Sequence, residues 1–227
     1  EFSKLIENIY RSVNISMVNE MKMISHKINI DINNVLDLAN TKPFGFNKFE
    51  PGPGIGGHCI PIDPYYLYWK AKQSNIDAKF IKLAGQTNEN TTNWVIDNFF
   101  KILKKEKKIL NKTKLLILGL AYKKNIEDTR ESASKKIISN IHGKLKKIDI
   151  SEPYIKNMNS KVSDDYDFLN KYKIKNIPLT KITIRKYDVV LILSDHDCFN
   201  YNLIKNEAKI LIDTRNRIER KNKFYKL

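Results

Sequence analysis

The chain has 227 residues, 41% of them hydrophobic, enough to bury the core of one large domain or two small ones and too many for a disordered chain. Its 41 Lys and Arg against 25 Asp and Glu are spread over the whole length among Asn and Ile. That reads as a solvated surface, not a nucleic-acid or lipid-binding stripe.

The opening Glu1-Phe2-Ser3-Lys4 lacks a methionine and already lies inside a helical pattern, as expected of a fragment. Leu5, Ile6, Ile9, Tyr10, Val13, Met17, Met21, Ile24 and Ile28 recur at three- and four-residue spacing, the mark of one long amphipathic helix. It carries more apolar surface than one small helical half can cover, so a twofold dimer through it is expected. Asp31 reads as the N-cap of a second helix through Val35, Leu36 and Leu38 that stops near Pro43. From Pro43 to Pro64 prolines and glycines cluster, giving a long irregular loop of the kind that carries function. Helices are expected at Tyr65–Gln73 and from about Thr87 to Lys105, closed by the solvated run Lys104–Lys108.

Beyond it the pattern changes. Lys114–Leu120, Ile148–Ile150, Asp188–Leu193 and Lys209–Asp213 read as short buried strands, with a helix from about Glu131 to Ile141. Strands alternating with helices imply βαβ units and a parallel sheet. The expected fold is therefore α/β: a helical domain over residues 1–110, then a small doubly wound, Rossmann-like domain over residues 111–227. No apolar run is long enough to cross a bilayer and no signal peptide is evident, so a cytoplasmic protein without membrane or nucleic-acid partners is expected.

The loop Pro51–Pro64 holds the strongest chemical signal. Gly52, Gly54 and Gly57 match a dinucleotide fingerprint by letter, but no strand precedes them, and Pro51 and Pro53 break the strand-to-helix turn that such a fingerprint needs. What these glycines do offer is close backbone approach to a ligand, with free amides for an anion or oxyanion. Cys59 follows directly, close to the start of the next helix. A helix N-terminus and nearby cations favour a thiolate, which is the nucleophilic form. Asp63, four residues on, could orient a base or a water. A lone cysteine is as often a small buried hydrophobe; its place in a Gly-rich loop ahead of an Asp favours a nucleophile. His58, Cys59 and Asp63 lack a second ligand cluster, so no metal is expected. Cys59 and Cys198 form no disulfide framework. His196-Asp197-Cys198 reads as a strand-end turn, and Trp69, Trp94 and Tyr65-Tyr66 as packing.

Three segments carry a family resemblance that spans nearly the whole chain. GPGIGGHCIPIDPYYLYWKA resembles the active-site loop of the NAD-dependent nucleotide-sugar 6-dehydrogenases. SKLIENIYRSVNISMVNE resembles their central helix, and LGLAYKKNIEDTRESAS the opening of their C-terminal, UDP-sugar-binding domain. TKPFGF and the His before the cysteine look more like the UDP-N-acetylhexosamine branch, in particular UDP-N-acetylglucosamine 6-dehydrogenase, than the UDP-glucose branch. The family has an N-terminal Rossmann domain for NAD, and the resemblance implies a C-terminal portion in which that domain is absent.

The resemblance also implies roles. Cys59 would attack the C6 aldehyde made by a first hydride transfer to NAD; the thiohemiacetal would become a thioester, and water would release the uronic acid, a surface-polysaccharide precursor. Lys4 and Asn8, one turn apart on a helix, would stabilise the developing alkoxide and position the water, with Asp63 in the acid–base network. Glu50, Pro51, Gly52, Pro53, Gly54, Ile55 and Gly56 would line the UDP-sugar. Tyr122 and Lys123 would contact its nucleotide and Arg215 its phosphates, while Arg130 and Ile62 would reach NAD. The other readings are a UDP-glucose 6-dehydrogenase and a non-catalytic nucleotide-sugar-binding or dimerisation module.

Overall fold

A computed structural model of the chain describes residues 1–155, 164–219 and 222–227. Helix α1 (Phe2–Lys27) forms where the periodicity places it, but the face it buries is the polar one. Asn8, Ser12, Ser16, Asn19, Lys22 and Ser25 are buried together with Val18, whereas Phe2, Ile6, Tyr10, Met17, Met21 and Ile24 are exposed. The buried groups are satisfied: Ser16 Oγ donates to the Ala84 carbonyl at 2.9 Å and accepts from Asn88 Nδ2 at 2.6 Å, which removes the penalty for their burial. The helix stops at Asn29, whose φ of 60° is a left-handed conformation that Asn tolerates. Asp31 caps α2 (Ile32–Ala39) by accepting from the Asn33 amide.

Helix α3 (Asp63–Gln73) begins two residues earlier than the sequence suggested, because Pro64 is tolerated in a first turn. Helix α4 (Lys79–Lys105) begins well before Thr87. Gly85, which weakens the helical pattern, is there for close packing: a Cβ at that position would fall 2.0 Å from the Tyr65 hydroxyl. The backbone packs as two compact units, Glu1–Trp94 and Val95–Leu227, dividing within α4.

In the second unit a 3₁₀ turn (Leu110–Lys112) leads into β1 (Lys114–Leu118). There follow α5 (Ala133–Ile141), β2 (Lys147–Ser151), α6 (Asp164–Lys171), α7 (Lys181–Arg185), β3 (Val189–Ile192), α8 (Tyr201–Glu207), β4 (Leu211–Asp213) and β5 (Phe224–Lys226). Helix α5 starts after Glu131 because Glu131 turns at φ 50° and Ser132 then caps the helix through the Ser134 amide. The five strands pair in the order β2-β1-β3-β4-β5, all parallel. The order reverses between β1 and β3, which makes the ends of those two strands the place where a doubly wound sheet takes ligands. Leu116, Leu118, Val190, Ile192 and Leu211 share a core cluster with Ile184, Phe199 and Ile204. Strand β5 and helices α6 to α8 are additions to the sequence reading.

Candidate active site

In the first unit, the loop after α2 is held from beneath. The Gly52 amide donates to Asn19 Oδ1 at 2.9 Å, Lys22 Nζ donates to the Gly52 carbonyl at 3.2 Å, and Thr92 Oγ1 donates to the Pro53 carbonyl at 3.0 Å. Lys22 Nζ also lies 5.8 Å from the centre of the Trp94 ring, a cation–π distance. Pro51, Gly52 and Pro53 are thus buried against α1 and α4, Gly54, Ile55 and Gly56 are half-buried, and Glu50 is exposed. Gly57, at φ 93°, makes a turn that side-chain-bearing residues rarely adopt. Asn19, Lys22 and Thr92 were not singled out from the sequence. The signal for Asn19 and Lys22 was available as a polar stripe on α1, Asn8-Ser12-Ser16-Asn19-Lys22, as regular as the apolar one; Thr92, on α4, had none of that kind.

Cys59 is a half-buried free thiol. Its carbonyl accepts from the amides of Ile62 at 3.2 Å and Asp63 at 2.8 Å, so the chain turns from the cysteine straight into the first turn of α3. Asp63 then accepts from Asn8 Nδ2 at 2.6 Å across 55 residues of sequence, and Arg11 donates to the other end of the Asn8 amide. Two of the residues assigned to catalysis are thereby in contact. Lys4 is exposed one turn before Asn8. Among the described residues, neither Lys4 nor the Cys59 thiol joins this pair by hydrogen bond. No group of His, Cys, Asp and Glu among the described residues could hold a metal ion.

In the second unit, the segment between β1 and α5 carries Tyr122, Lys123 and Arg130. Gly119, at φ 85°, turns the chain off β1 against the loop after β3; a Cβ there would sit 2.3 Å from Ser194 Cβ. The next amides, of Leu120 and Ala121, donate to Glu152 Oε2 at 2.7 and 3.1 Å. The same oxygen lies 2.9 Å from His196 Nε2. Burial pushes the Glu152 carboxyl up, but its hydrogen bond with His196 and those from the Tyr154 and Leu120 amides outweigh that and hold it below the ordinary carboxylate value. Arg215, half-buried after β4, donates from Nε to the Leu193 carbonyl at 2.8 Å and from Nη2 to the Tyr122 carbonyl at 3.4 Å. It therefore joins Tyr122 at the strand ends, beside exposed Lys123. Arg130 is exposed and forks onto Asp128, Nη2 to Oδ2 at 2.6 Å. His196 is buried, consistent with a structural role for the strand-end turn.

A dinucleotide would need the amides after β1 for its pyrophosphate. Here the Gly119 amide donates to the Ser151 carbonyl, and those of Leu120 and Ala121 are taken by the protein's own carboxylate, so this turn does not fit NAD. Of the two residues assigned to the cofactor, Ile62 lies in the first unit and Arg130 in the second.

Two family models match the chain: the UDP-glucose/GDP-mannose dehydrogenase family central domain over residues 1–90, and the UDP binding domain of the same family over residues 116–220. A UDP-N-acetyl-D-mannosamine dehydrogenase of Methanocaldococcus jannaschii is 34% identical over 97% of this chain and 48% of its own length. One of Campylobacter jejuni is 36% identical over 88% of this chain and 46% of its own. The solved structure of the UDP-D-ManNAc dehydrogenase from Pyrococcus horikoshii superposes over the whole chain and 51% of its own, with a TM-score of 0.82 and 29% identity. The chain spans about half the length of the curated relatives it matches. By its central and UDP-binding domains, it belongs to the UDP-glucose/GDP-mannose dehydrogenase family.

Proposed function

We propose that this chain carries the covalent and nucleotide-sugar-binding functions of a UDP-N-acetylhexosamine 6-dehydrogenase, with UDP-N-acetyl-D-mannosamine, the sugar nucleotide in the relatives' names, as its substrate in place of the N-acetylglucosamine epimer. The observation that supports it best is the Asn8–Asp63 hydrogen bond beside the turn made by the Cys59 carbonyl. It draws the central helix and the cysteine loop together at the start of α3.

In this reading the Cys59 thiolate adds to the C6 carbonyl of the sugar aldehyde: a C–S bond forms and the carbonyl oxygen becomes an alkoxide. A cation placed there stabilises the charge where it develops, and Lys4 is that cation. In the release step water adds to the C6 thioester, the C–S bond breaks, and sulfur leaves as the thiolate with the carboxylic acid as product. Asn8 and Asp63 hold that water, and the Asp63 carboxylate takes its proton. Dehydrogenases of this family are NAD-dependent, and NAD, when bound, would take the two hydrides whose loss converts the C6 alcohol to the aldehyde and the thiohemiacetal to the thioester. The turn after β1 does not fit a dinucleotide, and the roles given to this chain's residues are the sulfur, water and nucleotide steps.

Tyr122, Lys123 and Arg215 take the nucleotide, and Gly54–Gly56 approach the sugar. The exposed apolar stripe of α1 forms a twofold dimer contact. The direct test is dehydrogenase turnover of the full-length gene product with UDP-N-acetyl-D-mannosamine, UDP-N-acetyl-D-glucosamine and UDP-glucose. Preference for UDP-glucose would overturn the substrate assignment, and full turnover by Cys59→Ala would overturn the mechanism.

A further inference from the structure

Glu152 and His196 are wholly buried, lie after β2 and β3, and have no part in the chemistry above. Three of the four backbone amides they hold lie in one segment. Glu152 Oε2 takes the amides of Leu120 and Ala121, and Oε1 takes that of Tyr154 at 2.9 Å. His196 Nδ1 accepts the Asn125 amide at 2.9 Å. A ring nitrogen that accepts from an amide carries no proton, so the proton of a neutral imidazole is on Nε2. Nε2 then donates to Glu152 Oε2. The pair thus ties down both ends of the segment that carries Tyr122 and Lys123. The Asn125 side chain closes the far end by donating to Asp197 Oδ2 at 2.6 Å and accepting the Asp197 amide at 2.9 Å.

We propose that Glu152 and His196, the latter as its neutral Nε2–H tautomer, are positioning residues that fix the Leu120–Asn125 loop so that Tyr122 and Lys123 are preset for the nucleotide. The role in binding rests on the nucleotide reading given above. The logic is preorganisation: a loop held before binding loses less freedom on binding. No neutral amide reproduces Glu152. In Glu152→Gln one end of the side chain must present N–H to a group that is itself a donor.

The test combines calorimetric titration of this chain with UDP and site-resolved amide exchange. The parent is expected to bind UDP with the Leu120, Ala121 and Asn125 amides protected. Glu152→Gln should weaken UDP roughly tenfold or more, the cost of disrupting hydrogen bonds to a charged group, and speed exchange at those amides while β1 and β3 stay protected. His196→Asn places an oxygen where Nδ1 stood and should keep the Asn125 anchor and most of the affinity. His196→Gln reaches Glu152 but not Asn125 and should lose both. Nitrogen NMR of the parent imidazole should report the Nε2–H tautomer and needs no substitution; an Nδ1–H ring would overturn the proposal. So would Glu152→Gln with parental exchange and parental UDP affinity, or equal behaviour of the two His196 variants. A parent that ignores UDP while keeping the loop amides protected would overturn the nucleotide reading, and with it the role in binding, but not the anchoring of the loop.

Discussion

The side-chain amide of Asn8 donates to the carboxylate of Asp63 at 2.6 Å, joining α1 to the first residue of α3. Asp63 is also a negative charge in a first helical turn, where the helix dipole favours it. Removing the donor with Asn8→Ala leaves that carboxylate short of a partner. We expect a loss of about 1–2 kcal/mol of stability by denaturant titration, and in the full-length gene product a larger fall in kcat than in substrate affinity. Unchanged kcat would remove Asn8 from the mechanism.

Cys59→Ala should lower four-electron oxidation by several orders of magnitude, as expected when a nucleophile is deleted. Cys59→Ser should accumulate an acyl-enzyme, because an oxygen ester hydrolyses less readily than a thioester, and intact mass would reveal it. Cys198, exposed in the strand-end turn, is the control: Cys198→Ser should stay within a few-fold of the parent. The opposite pattern would move the chemistry to Cys198.

Met17 and Ile24 are 46% and 48% exposed on the apolar stripe of α1, where single charges oppose burial between two copies. The double variant Met17→Asp, Ile24→Asp should sediment as a monomer at a concentration where the parent is a dimer, with its helix content preserved. A parent that sediments as a monomer would remove the dimer.

Glu152 titrates below its ordinary value of 4.5 in the folded chain. A carboxylate whose folded value is depressed contributes stability that is fully present above about pH 4.5 and is lost as the pH falls through the lower folded value. Glu152→Gln should therefore be less stable at neutral pH and should lose less on acidification than the parent. Thermal melts across that range test it; parallel curves for the two proteins would refute it.

Gly119→Ala would push a Cβ into Ser194 while forcing an L-residue to φ 85°. Both effects destabilise, together by a few kcal/mol. The variant should melt well below the parent, whereas Gly143→Ala, at φ 79° with nothing within 4 Å, should carry the conformational penalty alone.

The strands of the second unit were legible because buried parallel strands are continuous apolar runs, and Leu115–Leu118 and Val189–Ile192 are of that kind. Strand β5 was not: Phe224-Tyr225-Lys226 is a three-residue edge strand among lysines and has no such run. Periodicity located α1 but could not say which of its two stripes faced inward, because its buried polar side chains are paid for by partners distant in the chain, Asn88 and Gly52 among them. The same limit hid the Glu152–His196 pair. Each residue alone reads as surface, and only the parallel register of β1 with β2 and β3 puts them side by side. The cysteine loop stood out because its glycines, prolines and cysteine are informative without knowledge of their neighbours.

The carboxylate lodged under the turn after β1 has a further consequence. Backbone amides that would grip a phosphate rigidly, and largely independently of the medium, are already spoken for at Leu120 and Ala121. A diphosphate bound at these strand ends would then lean on side-chain cations, with Lys123 exposed to solvent and Arg215 half-buried, in a chain whose formal charge is already +16. Exposed charges are screened over roughly 8 Å at physiological ionic strength. Nucleotide affinity in this protein should accordingly fall as salt is added, and the ionic strength of its surroundings becomes one of the quantities that set how much substrate it holds.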